Sequence, residues 1–216
     1  MTRTPAHIKI DLPVLPVSDV LAEIAQALDG SKRAVLSAPP GAGKTTLVPL
    51  HLLREEWRGD GKIILLEPRR LAARAAAGRM ADLLQENVGE TVGYRMRLDN
   101  RISSRTRIEV VTEGVFARMV LDDPELAGVS TVIFDEFHER SLDGDFGLAL
   151  ALDVQEGLRD DLRILVMSAT LDVERISALM GDAPVIESLG RTYPIDTRYE
   201  DRKRAVGSQL LGPSVA

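Results

Sequence analysis

At 216 residues and 44% hydrophobic content, the chain can bury a full core in one large domain, or in one domain with a tail. The absence of cysteine excludes disulfides, thiol catalysis and thiolate zinc sites together, and makes the reducing cytoplasm the expected location. A net charge of −6 argues against nucleic-acid binding by bulk electrostatics, and with no signal-like apolar region after Met1 and no apolar run near the ~18 residues of a membrane span, the expectation is a soluble protein without a membrane partner.

The first element expected is an amphipathic helix, with Ser18 as its N-cap and Val20, Leu21, Ile24 and Leu28 at helical spacing; it stops at Asp29-Gly30. A short apolar strand, Ala34-Val35-Leu36-Ser37, then runs into the Gly-rich Pro39-Pro40-Gly41-Ala42-Gly43, and residues 44–54 read as a helix with Pro49 in its early turns. Further buried strands are expected at residues 63–66, 108–111, 132–134 and 164–167, with helices at 71–84 and 147–158 between them. Strands alternating with helices imply an α/β fold with a mostly parallel, doubly wound sheet. In such sheets ligands bind beyond the carboxyl ends of the strands, where Ser37, Glu67, Thr112, Asp135 and Ser168 would lie. Residues 200–216 lose periodicity and read as a tail.

Two clusters carry chemistry. Ala38-x-x-x-x-Gly43-Lys44-Thr45 is a phosphate-binding loop with Ala in place of the first Gly, set between a strand and a helix as that motif requires. Backbone N–H groups of Gly41, Ala42, Gly43 and Thr46, with Pro40 beside them and the helix dipole behind, would surround a β-phosphate; Lys44 would reach the β- and γ-phosphates and Thr45 would ligate Mg²⁺. Asp135-Glu136 follow an apolar strand, so adjacent carboxylates emerge where a neighbouring strand would deliver that loop. Asp135 is assigned chiefly to metal and Glu136 to the base role, with a share in the metal shell. His138 either senses the γ-phosphate or links the carboxylates to a neighbouring strand, whereas His7 and His51 read as structural.

Charge is unevenly distributed. Between Arg69 and Arg107 stand nine arginines against four acids, a local surplus of five positive charges. These could face phosphates or could be ordinary solvated charge.

Ala38-Pro39-Pro40-Gly41-Ala42-Gly43-Lys44-Thr45, Glu67-Pro68-Arg69-Arg70, Thr112-Glu113-Gly114, Asp135-Glu136-Phe137-His138 and Ser168-Ala169-Thr170 resemble, in order and spacing, motifs I, Ia, Ib, II and III of superfamily 2 helicases, DEAH-box branch, HrpB type. The resemblance covers roughly residues 12–199. It implies a RecA-like, three-layer P-loop NTPase fold, with ATP and Mg²⁺ as cofactors and single-stranded nucleic acid as partner, RNA in preference to DNA. By resemblance, Arg69, Arg70, Thr112 and Gly114 lie near the sugar–phosphate backbone, Ser168 and Thr170 couple hydrolysis to movement, and Arg79 stacks on adenine. The organisation expected is a leading segment and helix over 1–30, a first RecA-like domain over 31–190, and a truncated interdomain linker or tail over 191–216.

Two departures stand out. Phe137 replaces the family's Ala, which implies a packing change without a chemical one. No segment resembles the second RecA-like domain, whose arginine fingers are worth on the order of 10³ to 10⁵ in rate, so the isolated chain is expected to turn ATP over weakly or not at all. An ATPase domain of a helicase and a nucleotide- or RNA-binding module without turnover therefore both stand as readings. A P-loop NTPase unrelated to helicases would leave Glu67-Pro68-Arg69-Arg70 and Ser168-Ala169-Thr170 unexplained.

Overall fold

The computed structural model describes residues 12–169 and 172–189. A 3-10 turn, Pro16–Val20, leads into α1 (Leu21–Gly30), β1 (Arg33–Ser37) and α2 (Lys44–Leu52). After a second 3-10 turn come β2 (Lys62–Glu67), α3 (Arg70–Leu83), β3 (Val92–Met96), β4 (Asp99–Arg101), β5 (Ile108–Thr112) and α4 (Glu113–Asp122). The remainder is β6 (Val129–Phe134), a 3-10 turn Phe137–Glu139, α5 (Leu142–Gly157), β7 (Arg163–Ser168), α6 (Val173–Leu179) and β8 (Val185–Glu187).

The eight strands form one sheet in the order β4-β3-β5-β2-β6-β7-β1-β8. Every pairing is parallel except the β3–β4 hairpin. Alternate residues of each central strand bury into opposite layers, as the two-residue repeat of a strand dictates. Ala34, Leu36, Ile63, Leu65, Ile133 and Met167 pack with α1, α2 and α3; Val35, Ile64, Leu66, Val132, Phe134 and Val166 pack with α4, α5 and α6. The result is the three-layer α/β arrangement of a RecA-like P-loop domain.

Local starts and stops differ from expectation in ways that side-chain chemistry explains. Ser18 does not cap α1, whose N-cap is Val20; its hydroxyl instead accepts from the Leu15 amide, which tightens the preceding 3-10 turn. The second helix ends at Leu52 rather than Arg54. The helix expected from Gly147 begins five residues earlier, because Ser141 accepts from the Gly144 amide and Asp143 and Asp145 face the positive end of the helix dipole. Strands β3, β4 and β8 and helices α4 and α6 were not expected, and the tail and Thr170 lie outside the described residues.

Candidate functional site

Strand register collects the site on one edge. Glu67 stands opposite Thr112, Leu66 opposite Phe134, Phe134 opposite Val166, and Ser37 opposite Ser168. Thr112, Glu67, Asp135, Ser168 and Ser37 therefore follow one another along the carboxyl ends of β5, β2, β6, β7 and β1. The phosphate-binding loop and the paired acids do not arise from neighbouring strands, as the sequence had suggested: β7 lies between them. The gap is bridged because β7 ends in the small, buried Ser168, whose carbonyl accepts from the Ala38 amide, and because α2 projects its first two side chains towards β6.

The loop itself is shaped for an anion. Gly41 and Gly43 take φ of +77° and +91°, a region open mainly to glycine, and Gly43 is the N-cap of α2. A Cβ at Gly43 would also stand 2.6 Å from Leu15 Cδ1 and 3.1 Å from Leu15 Cβ, so Leu15 would have to give way on top of the backbone strain. The segment ahead of α1 thus underpins the loop, and the Val17 amide adds a 3.0 Å bond to the Ala42 carbonyl. Pro40 and Gly41 are exposed, Ala42 is buried, and Thr46 returns a 3.3 Å amide bond to the Gly43 carbonyl.

Lys44 is only 3% exposed and places Nζ 2.8 Å from Glu136 Oε1. The Thr45 hydroxyl donates to Asp135 Oδ2, while Asp135 Oδ1 accepts from the Glu136 amide at 2.8 Å. Burial pushes the Asp135 carboxyl up, against the opposing pull of the Thr45 hydrogen bond and the Lys44 charge. Glu67, at the end of β2, is buried beside it and hydrogen-bonds to it; burial first, and Asp135 second, push Glu67 up to about 8. Burial and the neighbouring charge thus disfavour the ionised form of both carboxyls of this pair. The sequence assigned no role to Glu67. Its signal was position, the last residue of a buried strand, but its partner depends on strand order, which no local pattern encodes.

A hydroxyl and two carboxylates are hard oxygen donors of the kind magnesium takes beside phosphate oxygens and water. Among the described residues no group of three or more His, Asp or Glu side chains forms a metal cage, and the oxygen donors beside the loop are Thr45, Asp135 and Glu136.

His138 joins two strand ends. Its Nδ1 lies 3.3 Å from the Ala169 amide, beyond β7, and 3.3 Å from Glu136 Oε2, beyond β6. One nitrogen cannot serve both at once: unprotonated it accepts from Ala169, protonated it donates to Glu136. Phe137 packs edge-on to Phe134 at 6.1 Å inside the α4–α5 layer, so the replacement of Ala is a change of packing. Glu136 and Arg140, on either side of the Phe137–Glu139 turn, both adopt left-handed backbone with φ of 48° and 51°. Such non-glycine positions cost about 1–3 kcal/mol each and persist only where surrounding bonds hold them.

The residues expected to meet nucleic acid share this edge. Arg69 is the N-cap of α3 and pairs with Glu139 at 2.6 Å; Arg70 donates to the Arg97 carbonyl at 3.2 Å; Thr112 precedes α4 and Gly114 is exposed in its first turn. Beside Thr112 and Gly114 opens a groove of about 550 Å³, walled by Val115 and Met119 and rimmed by Arg95, Arg97 and Arg118. The positive surplus is partly neutralised within the fold: Arg74 pairs with Asp99, Arg105 with Glu90, and Arg95 Nε stands 2.6 Å from the buried Glu109, close in distance but not aligned as a hydrogen bond. Arg79 is exposed on α3, about 14 Å along the helix from Arg70.

A RecA-like sheet edge carrying a phosphate-binding loop opposite Asp-Glu-x-His is the arrangement of a P-loop NTPase domain, and a family profile described as DEAD/DEAH box helicase matches residues 19–179. The chain belongs to that family, and corresponds to the first RecA-like, ATP-binding domain of its HrpB/HrpA-type DEAH-box members. The ATP-dependent RNA helicase HrpB of Escherichia coli (strain K12) is 59% identical over 185 residues, covering 86% of this chain and 23% of that protein. An ATP-dependent RNA helicase HrpA homolog of Haemophilus influenzae is 40% identical over 185 residues, covering 86% of this chain and 14% of that protein. The crystal structure of the E. coli DEAH/RHA helicase HrpB superposes with a TM-score of 0.80 at 58% identity, over 85% of this chain and 23% of that one. The chain thus spans less than a quarter of the length of these relatives. Among the described residues no helix is long and apolar enough to cross a membrane.

Proposed function

We propose that this domain binds ATP with magnesium and that, together with a second RecA-like domain, it hydrolyses ATP to move along single-stranded nucleic acid, RNA in preference to DNA, in the cytoplasm. The observation that carries the reading is the pair of contacts across β7, Lys44 to Glu136 and Thr45 to Asp135, which bring the loop's cation and hydroxyl to the paired acids. The preference for RNA rests on relatives named as RNA helicases.

In this reading the amides of Gly41, Ala42, Gly43 and Thr46, with Pro40 at the loop's mouth, cradle the phosphates. Lys44 exchanges Glu136 for phosphate oxygens. Thr45 and Asp135, with a share from Glu136, would hold the metal, which would supply positive charge to those oxygens. Glu136, released from Lys44, accepts the proton of the attacking water, and His138 keeps it registered to the end of β7. Ser168 and Thr170 relay the change to the nucleic-acid side, where Arg69, Arg70, Thr112 and Gly114 grip the backbone. Arg79 stacks on the adenine.

Wild type and Lys44→Ala are compared for magnesium–ATP affinity by calorimetry and for RNA-stimulated turnover. Expected is a loss of at least tenfold in affinity for the variant; equal affinity would sink the proposal. Binding by the wild type without turnover above the variant would instead favour the second reading, a nucleotide- or RNA-binding module, for the isolated chain.

A further inference from the structure

The seven residues that carry the acids are tied at two points to the strand ends expected to meet nucleic acid. On one side Arg69, at the end of β2, pairs with Glu139 at 2.6 Å. On the other, Glu113, flanked by Thr112 and Gly114 after β5, accepts from the Ser141 hydroxyl at 2.6 Å. The same hydroxyl accepts from the Gly144 amide, and a Cβ at Gly144 would stand 2.6 Å from Glu113 Oε1. The second tie is therefore made by the same hydroxyl that caps α5.

The first tie differs in kind. The Arg69 side chain is 70% exposed and Glu139 29%, so the pair is screened and readily exchanged for another anion. The backbone is bent on both sides of the first tie, at Glu136 and Arg140, both left-handed, around the single turn that ends in Glu139. Glu139 sits at one end of this turn and Glu136 at the other, so a displacement of one is transmitted through three peptide units to the other.

We propose that Glu139 is a positioning residue that couples nucleic-acid occupancy to the catalytic acids: with no strand bound it holds Arg69, and a backbone phosphate that takes Arg69 expels it, shifting the Phe137–Glu139 turn about the Ser141–Glu113 anchor and releasing Glu136 from its resting place on Lys44. Like charge drives the expulsion, since the phosphate that claims the guanidinium also repels the carboxylate. The inference rests on the proposed assignment of Arg69 to the nucleic-acid backbone.

Coupling can be read without turnover. A fluorescent single-stranded oligouridylate is titrated into the 216-residue chain, by anisotropy, with and without a magnesium complex of a non-hydrolysable ATP analogue. The ratio of the two affinities is the coupling factor, and linkage requires the analogue's affinity to shift by the same factor when RNA is present. Glu139→Gln is expected to bind RNA about two- to fivefold more tightly, because Arg69 no longer has a competing anion, and to bring the coupling factor towards one. Glu139→Asp, which keeps the charge, is expected to retain most of the coupling. A role confined to stability would lower the melting temperature of Glu139→Gln and leave the coupling factor as in the wild type; that result, with Arg69→Gln weakening RNA binding, overturns the inference while sparing the assignment of Arg69. RNA binding by Arg69→Gln equal to wild type, or none by the wild type, removes the assignment and the inference together.

Discussion

Lys44 and Glu136 neutralise each other across the end of β7, and neither can do its expected work until they part. Glu136→Gln removes the competing charge, so magnesium–ATP affinity should hold or rise while turnover in a complete two-domain protein falls by about 10²- to 10⁴-fold, the usual share of a general base. Calorimetry beside steady-state assays separates the two effects. Glu67 supports a different prediction. Glutamine there can donate a hydrogen bond to Asp135 without the penalty of a buried carboxyl, so Glu67→Gln should stabilise the nucleotide-free domain by about 1 kcal/mol, seen as a rise of roughly 2–4 °C in Tm. A lower Tm would show that the carboxyl is needed for packing. The contrast also marks what the sequence could reveal at this scale. Lys44, Thr45, Asp135 and Glu136 were legible because each motif is local and its chemistry follows from residue type; Glu67, Glu113 and Glu139 were not, because their partners come from strands and turns whose adjacency is a property of the fold.

Among the elements, apolar runs identified the strands buried on both faces, β1, β2, β5, β6 and β7. They failed for β3, where Gly93 and Arg95 interrupt the run, and for the three-residue β4 and β8. Helix α4 escaped because the apolar end of β5 flows directly into it, although Val115, Phe116, Met119 and Val120 have helical spacing. The turn after β6 shows packing acting apart from chemistry. Phe137 is buried with Phe134 and Phe116 beyond it, so Phe137→Ala, which restores the family's usual residue, should cost about 2–4 kcal/mol in chemical denaturation. Nucleotide affinity should be unchanged. A loss of affinity of more than a few fold would instead mean that the ring itself supports the acids.

For the molecule as a whole, an acidic chain presents a basic edge, but less basic than residue counting suggests, since acids from elsewhere in the fold, Glu109 and Glu139, neutralise two of the arginines. His51 contributes a pH dependence away from the site. Burial, with Arg54 second, lowers its pKa below the ordinary value of 6.5, so the unfolded chain takes up a proton on acidification before the folded one does. Its contribution to stability is complete above pH 6.5 and is lost as the pH falls through the depressed value. Melting curves between pH 5 and 7 should flatten in His51→Gln, and an unchanged slope would show that other groups set it. The sheet's two borders lead to a last consequence. Among the described residues it finishes on either side in a strand of three residues, Asp99–Arg101 and Val185–Glu187, and the first carries two charges of opposite sign. Such short, charged margins offer few free backbone groups on which a foreign strand could templated-pair, which protects a wide, strongly apolar sheet from fibrillar self-association. Replacing Asn100 and Arg101 by valine should therefore leave the fold intact yet make concentrated solutions bind amyloid dyes.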